Sequence, residues 1–129
     1  MNKIKGKFEV KSSPVAPDEN IKKMGGMAMT FDKIFSGEIE ARGKVSMFGI
    51  MNRDLGSGGY IALELIEGAI EGKNGTFIMQ HSCFMNKGKE EQKIKVVPDT
   101  GTGELKGISG NMVIEIIEGQ HFYNFEYTL

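Results

Sequence analysis

Two histidines and one glutamate are the residues of this sequence best suited to acid–base chemistry. His81 and His121 are the only histidines, and an imidazole takes up or releases a proton close to neutral pH. Glu64 lies in the otherwise apolar segment 60–66, Tyr-Ile-Ala-Leu-Glu-Leu-Ile. All three are candidate catalytic residues. The alternative interpretation is that each histidine only satisfies a polar partner inside the protein or at its rim.

The direction in which Glu64 points decides which role it can have. In a strand, Glu64 shares one face with Tyr60 and Ala62. Leu63 and Leu65 share the opposite face. If the leucine face packs outward, Glu64 faces the interior, where desolvation raises the pKa of a carboxyl group and a nearby cation lowers it. If the leucine face fills the interior, Glu64 is a solvated exterior charge.

A metal site and a cysteine nucleophile are both disfavoured by the spacing around Cys83. His81 and Cys83 share one strand face with Met79 and Met85, a set of soft donors that suits copper or zinc. A complete ligand set would need His121 from another strand, so we predict a methionine-rich core and no metal or cofactor. Along a strand, Cys83 lies about 7 Å from His81, beyond hydrogen-bond reach.

Length and composition limit the classes of protein to which the chain can belong. It has 129 residues, which predicts one domain over 1–129, and its 16 Lys+Arg against 17 Asp+Glu leave a net charge of −1. That balance argues against a nucleic-acid partner. No apolar run approaches the ~20 residues of a membrane-spanning helix, and no signal peptide is evident. A single cysteine suits a reducing compartment, so we expect a cytoplasmic location.

The elements that must position the candidate residues are strands. Glycine is abundant, with 18 residues, and repeated glycines disfavour helices. Between the glycines, apolar and polar residues alternate with a period of two, as they do in half-buried strands. The pattern is clearest near both ends of the chain and in its first half. It predicts eight strands, at 3–11, 27–35, 37–49, 59–71, 75–86, 91–98, 103–117 and 121–129.

Short connections between these strands predict a meander. The Asn-Gly pair of 73–75 is typical of a type I′ hairpin turn, and 86–88, 99–101 and 118–120 are further short connectors. Only 12–25 is a longer connection, with a short helical turn expected at 17–23.

Eight antiparallel strands form either a sandwich or a barrel, and closure into a barrel removes exposed edges. Gly6, Gly43 and Gly68 fall on predicted inward faces, where small barrels need bends. We therefore predict an all-β fold, a closed eight-stranded antiparallel meander barrel.

The connection at 98–104, Pro-Asp-Thr-Gly-Thr-Gly-Glu, resembles a phosphate-binding loop only superficially. It lacks the spacing of such loops, and a strand rather than a helix is predicted after it. We interpret it as a tight connection at the barrel mouth. Glu104 either anchors this connection by accepting backbone N–H bonds or reaches a ligand at the mouth.

Several motifs in a fixed order also carry a family resemblance. The chain resembles a bacterial family of small proteins whose function is unassigned and whose fold is an allene oxide cyclase-like barrel. This resemblance implies the closed eight-stranded barrel and favours the alternative in which Glu64 faces the lumen. It implies no activity. The motifs are Gly6–Lys11 (GKFEVK), Gly59–Glu64 (GYIALE), Gly68-x-x-x-Gly72, Gly75–His81 (GTFIMQH), Val97–Leu105 (VPDTGTGEL) and Gly119–Tyr123 (GQHFY).

Three functions remain open. An eight-stranded barrel is just wide enough to be filled by side chains or to hold one small ligand. The first hypothesis is therefore a binding protein for a small, largely apolar molecule. The second is an isomerase- or cyclase-like enzyme acting on a small apolar substrate. The third is a structural or interaction protein that uses its outer walls. The predicted ligand-binding residues are Tyr60, Glu64, His81, Glu104, His121 and Tyr123.

The predicted outer faces also carry apolar residues. Leu63 and Leu65 on the fourth strand, and Val113 and Ile117 on the seventh, would remain uncovered in a single barrel. We therefore expect a homo-oligomer that associates through the barrel walls.

Overall fold

The computed structural model describes residues 1–129 and contains eight long strands and one short α-helix. No helix in it is both long enough and apolar enough to cross a membrane. The elements are β1 (Asn2–Val15), α1 (Glu19–Lys23), β2 (Met27–Gly37), β3 (Ile39–Asn52), β4 (Ser57–Ile70), β5 (Lys73–Asn86), β6 (Lys89–Val96), a 3₁₀ turn (Gly103–Leu105), β7 (Ser109–Ile117) and β8 (Gln120–Thr128).

The sheet closes on itself, which confirms the predicted barrel. Each strand is antiparallel to the next in sequence order. The first strand also pairs with the last, and Gly6 of β1 lies opposite both Gly37 of β2 and Tyr123 of β8. Because this pairing leaves no open edge, one face of every strand encloses a lumen. The kinship with allene oxide cyclase-like barrels stays a prediction.

Alternation along the strands sorts side chains between lumen and solvent, as the sequence pattern predicts. Ile4 and Phe8 of β1 are buried in the lumen, whereas the intervening lysines are solvent-facing. On β4 the two alternatives for Glu64 are now resolved. Glu64 is 0% exposed and faces the lumen, while its neighbour Leu63 is 54% exposed on the outer wall.

One predicted turn is wrong. The β4–β5 hairpin turns at Glu71 and Gly72, whose φ angles are +47° and +81°, rather than at the Asn-Gly pair three residues later. Asn74 and Gly75 lie inside β5. A Cβ at position 75 would collide with the carbonyl oxygen of Thr102, so this glycine serves a close chain approach instead of a turn.

Two other predicted turns and the predicted helical turn are confirmed, but the longer connection predicted at 12–25 starts later, because β1 continues to Val15, which pairs with Ala28 of β2. Lys87-Gly88 and Glu118-Gly119 each have two consecutive positive φ angles, as type I′ turns require. The predicted helical turn is α1, and its first turn is capped by Asp18, whose Oδ1 accepts a hydrogen bond from the Ile21 N–H at 2.9 Å.

The segment 97–108 closes one end of the barrel. We predicted that the seventh strand starts near residue 103, but β7 begins at Ser109, because a 3₁₀ turn occupies 103–105. This turn places Leu105 inside the barrel, and Ile108 follows it into the core. The segment therefore lies at the closed end of the lumen and not at its mouth.

Aromatic packing fills the lumen next to this plug. Phe77 and Phe125 stack with centroids 6.1 Å apart, and Phe125 stacks on Tyr127 at 5.4 Å. Such rings bury large apolar areas. The closed half of the barrel is thus a solid core.

The weakest seam of the barrel lies between β6 and β7. Only two residue pairs are in register there, Ile94 with Met112 and Lys95 with Asn111. Beyond them the Gln92 side chain replaces the backbone ladder, and its Oε1 accepts a hydrogen bond from the Ile114 N–H at 2.9 Å. The backbones of β6 and β7 are therefore further apart toward the open end of the barrel.

Two phenylalanines of β5 test the assignment of lumen and outer faces. Phe77 is 0% exposed and Phe84 is 62% exposed. We expect Phe77→Ala to lower the free energy of unfolding by about 3–5 kcal/mol, the usual cost of truncating a buried ring. Phe84→Ala, the matched control, should lower it by no more than about 0.5 kcal/mol. Urea denaturation measures both, and equal losses would contradict the assignment.

The predicted homo-oligomer stays a prediction. The four residues that motivated it do face outward, and Leu63, Val113 and Ile117 are each more than half exposed. Sedimentation at micromolar concentration should detect a species heavier than the 14.2 kDa chain. A sharply monomeric profile would contradict the prediction.

Candidate functional site

The open half of the barrel contains a cavity of about 730 Å³. All eight strands contribute to its wall, and ten of the sixteen lining residues are hydrophobic. Lys33 and His81 also line it, whereas Glu90 and Glu115 lie on β6 and β7 beside the open seam. The lumen therefore combines a largely apolar wall with a small set of polar groups.

A buried carboxylate organises the polar groups of the cavity. One oxygen of Glu64, Oε1, accepts a hydrogen bond from His81 Nε2 at 2.7 Å and another from Lys33 Nζ at 3.2 Å. The three side chains come from β4, β5 and β2 and are all buried. Their shared oxygen joins three strands of the barrel through one side-chain cluster, which we call the Lys33–Glu64–His81 cluster.

The pKa of Glu64 shows which contacts dominate. Burial alone raises the pKa of this carboxyl group, but the hydrogen bond from His81 and the positive charge of Lys33 outweigh burial and lower it below its ordinary value. Glu64 is therefore a carboxylate at neutral pH. An ionised carboxylate only accepts hydrogen bonds, so His81 must donate its Nε2 proton to it.

The other imidazole nitrogen of His81 is free. Nδ1 makes no hydrogen bond to the protein, and the only sealed polar side-chain atom without a partner is Glu64 Oε2. Since His81 lines the cavity and Nδ1 is not sealed, Nδ1 is accessible from the cavity. In the neutral ring, a proton on Nε2 leaves a lone pair on Nδ1.

Aromatic rings support the ammonium group of Lys33. Nζ lies 4.6 Å from the centroid of Phe8 and 5.8 Å from that of Phe35, within the range of cation–π attraction. Its one hydrogen bond goes to Glu64. An ammonium group has three donors, so Lys33 keeps hydrogen-bonding capacity for a molecule in the cavity.

Gly43 of β3 leaves the space that Glu64 needs. A Cβ at position 43 would collide with Glu64 Oε2. The predicted inward glycine therefore accommodates a buried carboxylate rather than only a bend.

Tyr60 is another polar group in the cavity wall. Burial raises the pKa of its phenol above the ordinary value, and the nearby Cys83 and Glu90 raise it further. Tyr60 is therefore a neutral hydroxyl at physiological pH. Cys83 is a free thiol, and burial raises its pKa as well, which disfavours the reactive thiolate.

His121 lies in the same cavity but apart from the carboxylate. Its ring packs on Phe8 with centroids 5.2 Å apart, and it makes no hydrogen bond to Glu64. The structure thus brings Tyr60, His81 and His121 to one cavity, with Glu64 directly behind its wall.

Two predicted ligand-binding residues lie outside this cavity. Tyr123 is fully buried in the core, where its hydroxyl donates to the Ser36 carbonyl and accepts from the Ile39 N–H, both at 2.9 Å. Glu104 lies at the closed end and accepts a hydrogen bond from the Asn74 N–H at 3.1 Å. This contact confirms the loop-anchoring alternative for Glu104.

Lys33 is the site residue that sequence reasoning missed. In the predicted second strand it shares one face with Phe31 and Phe35, so an inward lysine between two aromatic residues could have been found.

The Lys33 ammonium group disfavours a metal ion at Glu64, because Lys33 and His81 both donate hydrogen bonds to the same carboxylate oxygen. No three His, Cys, Asp or Glu side chains lie together as a metal site would require.

Replacing Glu64 removes the carboxylate that neutralises Lys33. Breaking a buried pair leaves an uncompensated charge, so we expect Glu64→Gln to lower the free energy of unfolding by about 3–5 kcal/mol at neutral pH. The matched control is Asp32→Asn, which breaks the exposed pair of Asp32 and Lys44 at 2.8 Å and should cost less than about 1 kcal/mol. Comparable losses in urea denaturation would contradict the buried ion pair.

The same carboxylate should make stability depend on pH. Because the folded pKa of Glu64 lies below its ordinary 4.5, its stabilising effect is complete above that value and is lost as the pH falls through the lower folded pKa. We expect the wild type to lose this contribution progressively below that ordinary value and Glu64→Gln to lack that part of the dependence. Urea titrations over the acidic range measure it, and superimposable pH profiles would refute it.

Comparison with known proteins places the chain in a family. A family model described as "Protein of unknown function (DUF3224)" matches residues 4–127. A crystal structure of a DUF3224 protein of unknown function from Shewanella oneidensis MR-1 is similar, with a TM-score of 0.92, 40% sequence identity and coverage of 100% of this chain and 97% of that one. A search of curated proteins finds no match. The predicted family resemblance is confirmed, and the chain belongs to the DUF3224 family of proteins of unknown function.

Proposed function

We propose that this protein binds one small, largely apolar and uncharged molecule inside the barrel. The observation that carries the proposal is the cavity of about 730 Å³ in the open half of the lumen. Its volume falls within the range of about 300–1,000 Å³ that is usual for small-molecule sites.

The distribution of apolar and polar groups favours this occupant. Phe31, Val45 and Met47 contribute apolar wall, while Lys33 and Tyr60 offer hydrogen bonds. Small-molecule sites commonly combine an apolar wall with a few oriented polar groups. A ligand with an apolar body and one hydrogen-bond acceptor fits both parts.

Charge in and around the cavity argues for a neutral ligand. Lys33 is already paired with Glu64, so the ammonium group does not offer an uncompensated positive charge. Glu90 and Glu115 add negative charge to the lining. An anionic molecule would be repelled by these carboxylates and would have to leave its hydration shell without a free counter-charge.

A cytoplasmic location is part of the same proposal. The single cysteine, Cys83, is a buried free thiol. Unpaired cysteines are usual in reducing compartments.

Binding of N-phenyl-1-naphthylamine, a neutral apolar fluorophore, tests the proposal. We expect saturable binding of one molecule per chain. Ala62→Phe places a ring in the cavity wall and should weaken binding at least about tenfold, or about 1.4 kcal/mol. Leu63→Phe is the matched control, since residue 63 is on the outer wall, and it should bind as the wild type does.

A second variant guards against a folding defect in Ala62→Phe. Ile116 lines the cavity and is itself exposed, so Ile116→Lys should weaken binding of the fluorophore without loss of the fold, which circular dichroism checks. Absence of saturable binding to the wild type, or equal binding by all four proteins, would overturn the proposal.

A further inference from the structure

We propose that the cavity also catalyses proton transfer at the carbon next to a carbonyl group. His81 Nδ1 is the base, and Lys33 Nζ holds the carbonyl oxygen. This inference rests on the proposed function, because the substrate is a neutral apolar ketone or aldehyde bound in the same cavity. It requires no metal, oxidant or second reactant.

The base is prepared by Glu64. Its carboxylate accepts the Nε2 proton of His81 at 2.7 Å, which orients the ring and, in the neutral imidazole, leaves the Nδ1 lone pair toward the cavity. A carboxylate behind a histidine also stabilises the imidazolium that forms when the base accepts a proton. Glu64 is therefore a positioning residue, while His81 is the catalytic one.

The same carboxylate also positions Lys33, the group that binds the carbonyl oxygen. Lys33 Nζ donates to the same Glu64 oxygen at 3.2 Å, so its position is fixed relative to His81. The remaining ammonium donors can hydrogen-bond a carbonyl oxygen. A charge-assisted donor stabilises negative charge on that oxygen more strongly than water does when the site is desolvated.

The step balances without any further component. Nδ1 takes a proton from the α-carbon, and the electrons of the broken C–H bond form the C=C bond of an enolate. The carbonyl π electrons move to oxygen, where Lys33 stabilises the negative charge, because the imidazolium formed in the same step compensates Glu64. The imidazolium exchanges its proton with solvent and then returns one to the α-carbon, which gives exchange, or returns the proton to the γ-carbon of a β,γ-unsaturated ketone, which gives isomerisation.

The second histidine does not have these supports. His121 lines the cavity but packs on Phe8 and has no carboxylate partner. The geometry therefore assigns the base to His81 alone.

Deuterium incorporation into 1-tetralone, a neutral apolar ketone, tests the inference. In D₂O, we expect the protein to accelerate exchange at the α-carbon by at least about 10²-fold over buffer alone. NMR measures the rate of exchange. His81→Gln should reduce the rate to the buffer value. Lys33→Met should lower kcat by about tenfold or more while N-phenyl-1-naphthylamine still binds. Lys44→Met, which alters an exposed ion-paired lysine, is the matched control and should exchange as the wild type does.

Different failures have different meanings in this experiment. If 1-tetralone displaces the fluorophore but exchanges at the buffer rate, the proton-transfer inference is overturned and the binding proposal stands. If neither probe binds, both are overturned. Loss of exchange in folded His81→Gln would support His81 as the base, whereas a full rate in that variant would refute it.

Discussion

The arrangement of this barrel depends on the burial of one carboxylate. An ionised group taken out of water costs several kcal/mol unless charge and hydrogen bonds compensate it. Glu64 is compensated through a single oxygen by Lys33 and His81. Because these partners lie on β2 and β5, on either side of β3 and β4 in the sheet, the cluster forms only when those strands are correctly registered. Compensation of the charge and formation of the site are therefore the same event.

One half of the lumen stabilises the fold, and the other half contains the candidate site. At one end Phe77, Phe125 and the plug residue Leu105 fill the space, and the hydrophobic effect there supports the fold. At the other end the β6–β7 ladder is short and side chains do not fill the lumen. The Lys33–Glu64–His81 cluster lies where these halves meet, so its geometry is held by a rigid core while one side faces the cavity.

Much of this could be predicted from local pattern. Period-two alternation correctly assigned the lumen faces of β1, β3 and β8, because closure buries one face of every strand. Alternation does not reveal the height of a residue in the barrel, so Tyr123 and Glu104 were grouped with cavity residues although they lie elsewhere. Lys33 was missed because lysine is usually exposed. The turn at 71–72 was missed because Asn-Gly is the stronger local turn signal.

The most direct test of the account is the tautomer of His81, measured by long-range ¹H–¹⁵N NMR of the imidazole ring. At a pH where the ring is neutral, we expect the proton on Nε2 and a lone pair on Nδ1. In Glu64→Gln this preference should weaken, while the spectrum of His121 should remain unchanged. A proton on Nδ1 in the wild type, with Nε2 unprotonated, would contradict the hydrogen bond to Glu64 and the role proposed for the cluster.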